Sequence, residues 1–392
     1  MNERSVSIVE NLPKSKQQFL TSTLLDNIYQ TFHKCEEKWL KDEIVLTTSN
    51  IVFREQLNVE SIKQIQSVEP HITKVVLNKP YFEQTFQLQL GTNKYNITFY
   101  HPKNKVPKSQ IQSYFSDCCM KMYIWLGYVQ PFIRKNCSRN MDIFIWFTNE
   151  KKQLEQQEKH FTSKHANSAF TTSCKSETTI CIYRKEEWFK VFIHETFHSL
   201  GLDFSHIMND KYEQQIVSLF PVKSTQGIRV YESYCETWGE LYHILFVAFF
   251  QTTNLREFQT MSKDLFLNEL QFSAFQVIKI LKHYDTYLTY ESFIKHETPI
   301  VIESTSVLSY YIIKFVLLFY CKEFELWCKN HNGVQLFIKF QTKHILSFYE
   351  FISSKYRSSV IVMYLREIEN KFNNLKLNPE LKETMRMTLN EI

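Results

Sequence analysis

Residues 186–201 read Glu186-Glu187-Trp188-Phe189-Lys190-Val191-Phe192-Ile193-His194-Glu195-Thr196-Phe197-His198-Ser199-Leu200-Gly201. The two acidic residues suit the first turn of a helix, where the macrodipole favours negative charge, and Gly201 can close that helix as a left-handed cap. His194 to His198 form an HExxH pattern. Residues four apart share one helix face, so both imidazoles can reach a single metal ion about 2.0 to 2.1 Å from each nitrogen. Glu195 lies one position round the helix, where its carboxylate can accept a proton without ligating. Zinc brings the pKa of a bound water to about 7 and polarises a carbonyl, so a neighbouring general base completes the parts for amide hydrolysis. Chance supplies roughly 0.04 such matches at this composition, even before a helix is demanded.

A catalytic zinc takes three protein ligands and keeps one position open. The spacing HExxHxxGxxH would need His at position 204, where Phe204 stands; His206 is two residues late and Asp203 one short, so both are poor ligands. The other source is a helix expected from about Arg229 to Phe250. It carries Tyr231-Glu232-Ser233-Tyr234-Cys235-Glu236-Thr237-Trp238-Gly239-Glu240. Glu232 and Glu236 are four apart, so one can bind the metal while the other orients a metal-bound imidazole through its second nitrogen. Glu236 as ligand with Glu240 behind it is the alternative register. Tyr231, Tyr234 and His243 are candidates to stabilise an oxyanion. Helix spacing does not choose among them.

This combination resembles the gluzincin clan of zinc metallopeptidases, whose ligand Glu is commonly followed four residues later by Asp or Glu. The resemblance implies one zinc ion held by His194, His198 and Glu232, Glu195 as general base, and Glu236 supporting a ligand. With Asn167-Ser168-Ala169-Phe170 and Arg184-Lys185-Glu186-Glu187-Trp188, residues 141–250 also look similar to an uncharacterised metalloprotease-like family of large DNA viruses. The implied protein is a hydrolase acting on a peptide or protein substrate. A virion-structural or protein-binding module on an inactive zincin scaffold is the competing reading, because large aromatic-rich flanks surround the core. In such sites an edge strand before the active helix binds substrate; residues 167–183 hold that place, as such a strand or as a connecting loop. Residues 221–227 offer a lid or a turn.

The expected fold class is α+β: a zincin-like core with the HExxH helix and the Glu helix, a strand-rich N-terminal domain and a mostly helical C-terminal part. The expected domains are 1–105, 106–250 and 251–392. The first is read from the hairpin around Gly91 and ends in the linker-like HPKNKVPK of residues 101–108. Residues 151–160, rich in Lys, Gln and Glu, are read as a charged helix. Residues 307–321 form an apolar run with Lys314 in its middle, short for a bilayer span, and are read as a buried helix. Asn378 and Pro379 suit an N-cap and first-turn proline.

Apolar residues make up 44%, and 33 Phe with 21 Tyr supply more aromatic surface than a disordered chain leaves unburied. A net charge of +5 over this length does not suggest a nucleic-acid partner. Nine Cys without CxxC spacing, the only close pair being Cys118 and Cys119, indicate no disulfide framework and favour a reducing compartment. The first 17 residues lack the apolar region of a Sec-type signal, so a cytoplasmic or intracellular site is expected, including host cytoplasm or virion if the source is viral. The four Ala and heavy Ile, Lys, Asn and Phe usage resemble coding by an AT-rich genome. No oligomeric state is implied.

Overall fold

The computed structural model describes the chain except residues 1–2, 57–62, 64, 66–69, 155–157, 159, 208–213, 217, 226 and 376. Two compact units divide it, each built from separated stretches of sequence. One comprises Thr23–Lys151 and Ser168–Leu202, the other Met1–Ser22, Lys152–Asn167 and Asp203–Ile392.

The first unit is organised on a mixed sheet. β1 (Val45–Thr48), β2 (Val52–Arg54), β3 (Tyr81–Leu90), β4 (Asn93–Pro102), β5 (Asn140–Trp146), β6 (Ala169–Thr171) and β7 (Glu177–Ile182) lie in the order β1-β3-β4-β5-β7-β6, with β2 also on β3. The hairpin β3–β4 is antiparallel, with Phe86 opposite Ile97, and Gly91 takes φ +59° in its turn. A left-handed turn residue is where glycine carries no Cβ penalty. β4 then pairs with β5 in parallel, Tyr95 opposite Met141. Parallel neighbours need a crossover, and helix α1 (Lys108–Val129) supplies it. The stretch HPKNKVPK therefore leads into a crossover helix within one sheet. It is not a domain boundary, and the expected division at 105 is corrected accordingly.

β5 and β7 are also parallel, with Asn140 opposite Glu177. Three residues before each strand stand Cys137 and Cys174, joined as a disulfide across the same 37-residue offset. The cysteine reading is corrected here: strand register, invisible in cysteine spacing, brings this pair together. The other seven cysteines are free thiols, six of them buried. Helix α2 (Trp188–Ser199) follows β7, and every one of its residues is buried. Six of the twelve, Lys190, His194, Glu195, Thr196, His198 and Ser199, are polar, and burial requires each to find a partner. Phe147 meets Trp188 edge-on at 5.6 Å between ring centroids, and Trp125 of α1 stacks on Phe197 at 6.2 Å.

The second unit is mainly helical. α3 (Val230–Gln251) and α4 (Leu255–Tyr284) pack together with a π-helical turn, Leu308–Ile313, that runs into α5 (Lys314–Phe319). The apolar run at 307–321 is thus a buried helix, as expected, and Lys314 is accommodated by an ion pair to Glu240 at 2.7 Å. Asn378 caps the helix beginning at Pro379, accepting from the Leu381 amide at 2.7 Å. Two expectations fail here. The described residues of 151–160 are not helical: Gln153 bridges Thr384, and the Leu154 amide donates to the Glu383 carbonyl at 2.7 Å, so long-range pairing overrides the local helical charge pattern; residues 155–157 and 159 lie outside the described part. The lid or turn at 221–227 instead contains strand β8 (Val222–Ser224), parallel to β9 (Val301–Glu303), with residue 226 outside the described part. Among the described residues, no helix is long and apolar enough to cross a membrane.

Candidate functional site

The HExxH helix is fixed at both ends by features that its sequence only half reveals. At its start, Glu186 and Glu187 precede the first turn instead of occupying it, and buried Glu187 adopts φ +59°. Buried Arg184 lies beside them. Burial pushes its guanidinium below the usual range, opposed by Tyr183, Glu186, Glu150 and Glu187. At the other end Gly201 has φ +67°. Its amide donates to the His198 carbonyl at 3.3 Å, and the Leu202 amide to the Phe197 carbonyl at 2.9 Å. That pair of bonds is the Schellman closure, which requires a left-handed residue at this position.

Between these ends the functional face is defined. His194, Glu195 and His198 are 5%, 9% and 7% exposed, whereas Ile193, Thr196 and Phe197 are 0% exposed, so the helix opens on the side that carries the motif. The two Nε2 atoms of His194 and His198 lie 3.2 Å apart. Two nitrogens bound tetrahedrally at 2.0 to 2.1 Å would be about 3.3 Å apart, so the pair fits a common zinc ion. The rotation of this face is locked by Thr196, whose hydroxyl donates to the Ile193 carbonyl at 2.6 Å and accepts from Trp125 Nε1 at 2.8 Å. The motif alone does not point to either residue; a polar Thr inside HETFH is the one signal of this lock in the sequence. Behind the helix, burial pushes the Cys181 thiol far up, and the nearby Glu195 carboxylate adds to the effect.

The helical unit carries the second motif. Glu232, in the first turn of α3 where the dipole favours a carboxylate, is buried, as are Glu236 and Glu240 along the same face. Glu240 is committed to Lys314 and to Ser273 Oγ at 3.4 Å. Glu240 is thus engaged away from the register that would place it behind Glu236. Of the expected oxyanion groups, Tyr234 is wholly buried and donates to the Ile338 carbonyl at 3.0 Å, while His243 is wholly buried with Nε2 3.3 Å from the Asn390 carbonyl. Both are thereby used inside their own unit, which corrects their assignment. Tyr231 is half-buried, edge-on to Phe204. His206 is exposed on a short 3-10 turn, and buried Asp203 accepts from Ser205 Oγ at 3.0 Å and from Cys235 Sγ at 3.8 Å.

Residues 167–183 contain an edge strand: β6 closes the sheet order, antiparallel to β7, with Phe170 opposite Cys181. Groups of His, Cys, Asp and Glu able to hold a metal ion are present among the described residues, and their members, His194, His198, Asp203, Glu232 and Cys235, are all buried. No family model matches the chain, and no curated protein or solved structure matches it significantly.

Proposed function

We propose that the chain is a zinc metallopeptidase of gluzincin type, with His194, His198 and Glu232 as ligands to one zinc ion and Glu195 as general base. The observation that carries this reading is the 3.2 Å separation of the two imidazole Nε2 atoms on a buried helix closed at its end by Gly201. Zinc bound there would supply Lewis-acid polarisation of a peptide carbonyl and acidify a water. Glu195 would serve as general base, holding a proton on its carboxylate and passing it to the leaving amine. Glu236, one turn after Glu232, would orient a ligand imidazole. Tyr231 is the remaining expected donor for the oxyanion. The outer edge of β6 receives an extended peptide substrate by β-augmentation, which uses main-chain hydrogen bonds independent of substrate sequence.

Elemental mass spectrometry of the purified protein tests the reading first, with one zinc per chain expected. Failure to hold zinc after reloading would return the protein to the inactive-scaffold reading.

A further inference from the structure

The end of the HExxH helix rests on two loops tied to each other by the Cys137–Cys174 disulfide. The last carbonyls of a helix have no partner within it and must find one elsewhere. Here three consecutive carbonyls are taken by those loops. The Cys174 amide donates to the His198 carbonyl at 3.0 Å, Ser138 Oγ to the Ser199 carbonyl at 2.8 Å, and the Arg134 amide to the Leu200 carbonyl at 3.0 Å. The Cys137 sulfur lies against the helix cap itself, since a Cβ at Gly201 would fall 2.9 Å from it.

The loop is also held in a costly conformation. Asn136 and Ser138, on either side of Cys137, have φ +71° and φ +48°. Left-handed non-glycine residues persist where the surroundings over-determine them. Cys137 is buried, whereas Cys174 is half-buried.

From these contacts we infer that Cys137–Cys174 is a redox-sensitive brace that positions the ligand His198, so that reducing it weakens zinc binding. The inference rests on the zinc reading above and adds regulation to the same site. Reduction by a dithiol delivers two electrons and two protons: the bond between the two sulfurs breaks, both become thiols, and the dithiol leaves as its own disulfide. The loops at 134–138 and 172–175 then keep only non-covalent ties, the Ser138 amide on the Lys175 carbonyl at 2.6 Å among them, and the donors to the His198 and Ser199 carbonyls are held less firmly.

The test compares oxidised protein, the same protein reduced with a phosphine, and the Cys174→Ser variant. Peptide mapping without reduction first establishes the linkage; its absence from the oxidised protein would overturn the inference. Zinc affinity is then measured by competition with a chromogenic chelator. The oxidised form is expected to bind about tenfold or more tightly than either other form, the scale of losing an outer partner of a metal ligand. Equal affinities would overturn it. Hydrogen exchange over residues 194–201 gives a readout independent of metal, with faster exchange expected on reduction. If no form binds zinc while exchange still accelerates, the metallopeptidase reading fails and the brace survives; unchanged exchange removes the brace. Circular dichroism separates the remaining case, because outright unfolding of both altered forms would show that the disulfide maintains the fold and not the site.

Discussion

Glu195, Glu232 and Glu236 are three buried carboxylates with different proposed tasks, and substitution separates them. Glu195→Gln keeps size and hydrogen bonding but cannot accept a proton. It is expected to lower peptide hydrolysis by about 100- to 10,000-fold, the usual contribution of a general base, with zinc content unchanged. An active Glu195→Gln protein would end the mechanism. Glu236→Ala is expected to weaken zinc about 10- to 100-fold as an outer partner, and Glu232→Ala more than that. Chelator competition on the two variants measures the order, and a reversed order would make Glu236 the ligand. The engagement of Glu240 by Lys314 at 2.7 Å favours Glu232 as ligand, because a ligating Glu236 would need Glu240 free behind it.

At the scale of the element, the HExxH helix depends on its closure. Gly201 meets two demands at once, a φ of +67° and a space too small for a methyl group, with the Cys137 sulfur at 2.9 Å and Arg134 Cβ at 3.0 Å. Gly201→Ala should therefore destabilise the protein by about 1–3 kcal/mol, read as a lowered midpoint in urea denaturation. An unchanged midpoint would mean that the helix end does not need this cap. The same element shows how far local sequence reaches. Apolar residues with a terminal Gly made the helix legible, and four-residue spacing made the shared faces of His194 with His198 and of Glu232 with Glu236 legible. The charge pattern of Lys151 to His160 was equally helical by its spacing, yet Gln153 and Leu154 pair with residues more than two hundred positions later. Local spacing predicts an element only where no distant backbone competes for its hydrogen bonds.

Across the whole molecule, the helical unit buries ionisable groups that make its stability depend on pH. Burial raises the Glu303 carboxyl from an ordinary 4.5 to about 8 and lowers the Lys279 ammonium from 10.5 to about 7. Between pH 4.5 and 8 the folded chain binds a proton at Glu303 that the unfolded chain has lost, so this group makes stability fall as pH rises. Between pH 7 and 10.5 the unfolded chain binds the extra proton at Lys279, so that group makes stability rise with pH. Glu303→Gln, which mimics the protonated acid, should remove the first slope and leave the second. Urea denaturation from pH 5 to 9 measures both, and the slope at stake is on the order of a few kcal/mol across the range. A Glu303→Gln profile parallel to that of the wild type would show that the carboxyl is ionised in the fold. The unit also encloses its own last segment: Lys314 donates to the Met387 carbonyl at 2.9 Å, and the Leu389 amide donates to Glu269 at 2.6 Å.

What the amino-acid order determined by itself was local. The HExxH helix, the Glu232 and Glu236 pair, the hairpin at Gly91 and the buried run around Lys314 all follow from spacings of two to four residues, which backbone geometry converts directly into shared faces and turns. Tertiary structure decided what depends on register between distant strands. A 37-residue offset between β5 and β7 places Cys137 beside Cys174, and parallel pairing of β4 with β5 carries one sheet across the expected boundary at 105, while Asp203–Ile392 falls in the other unit, so the expected core 106–250 is divided. Tertiary packing also drew Tyr234 and His243 into the interior of the helical unit. Side-chain type sets what a residue can do, but its partner is chosen by the neighbour that the fold delivers, and no local periodicity encodes that neighbour.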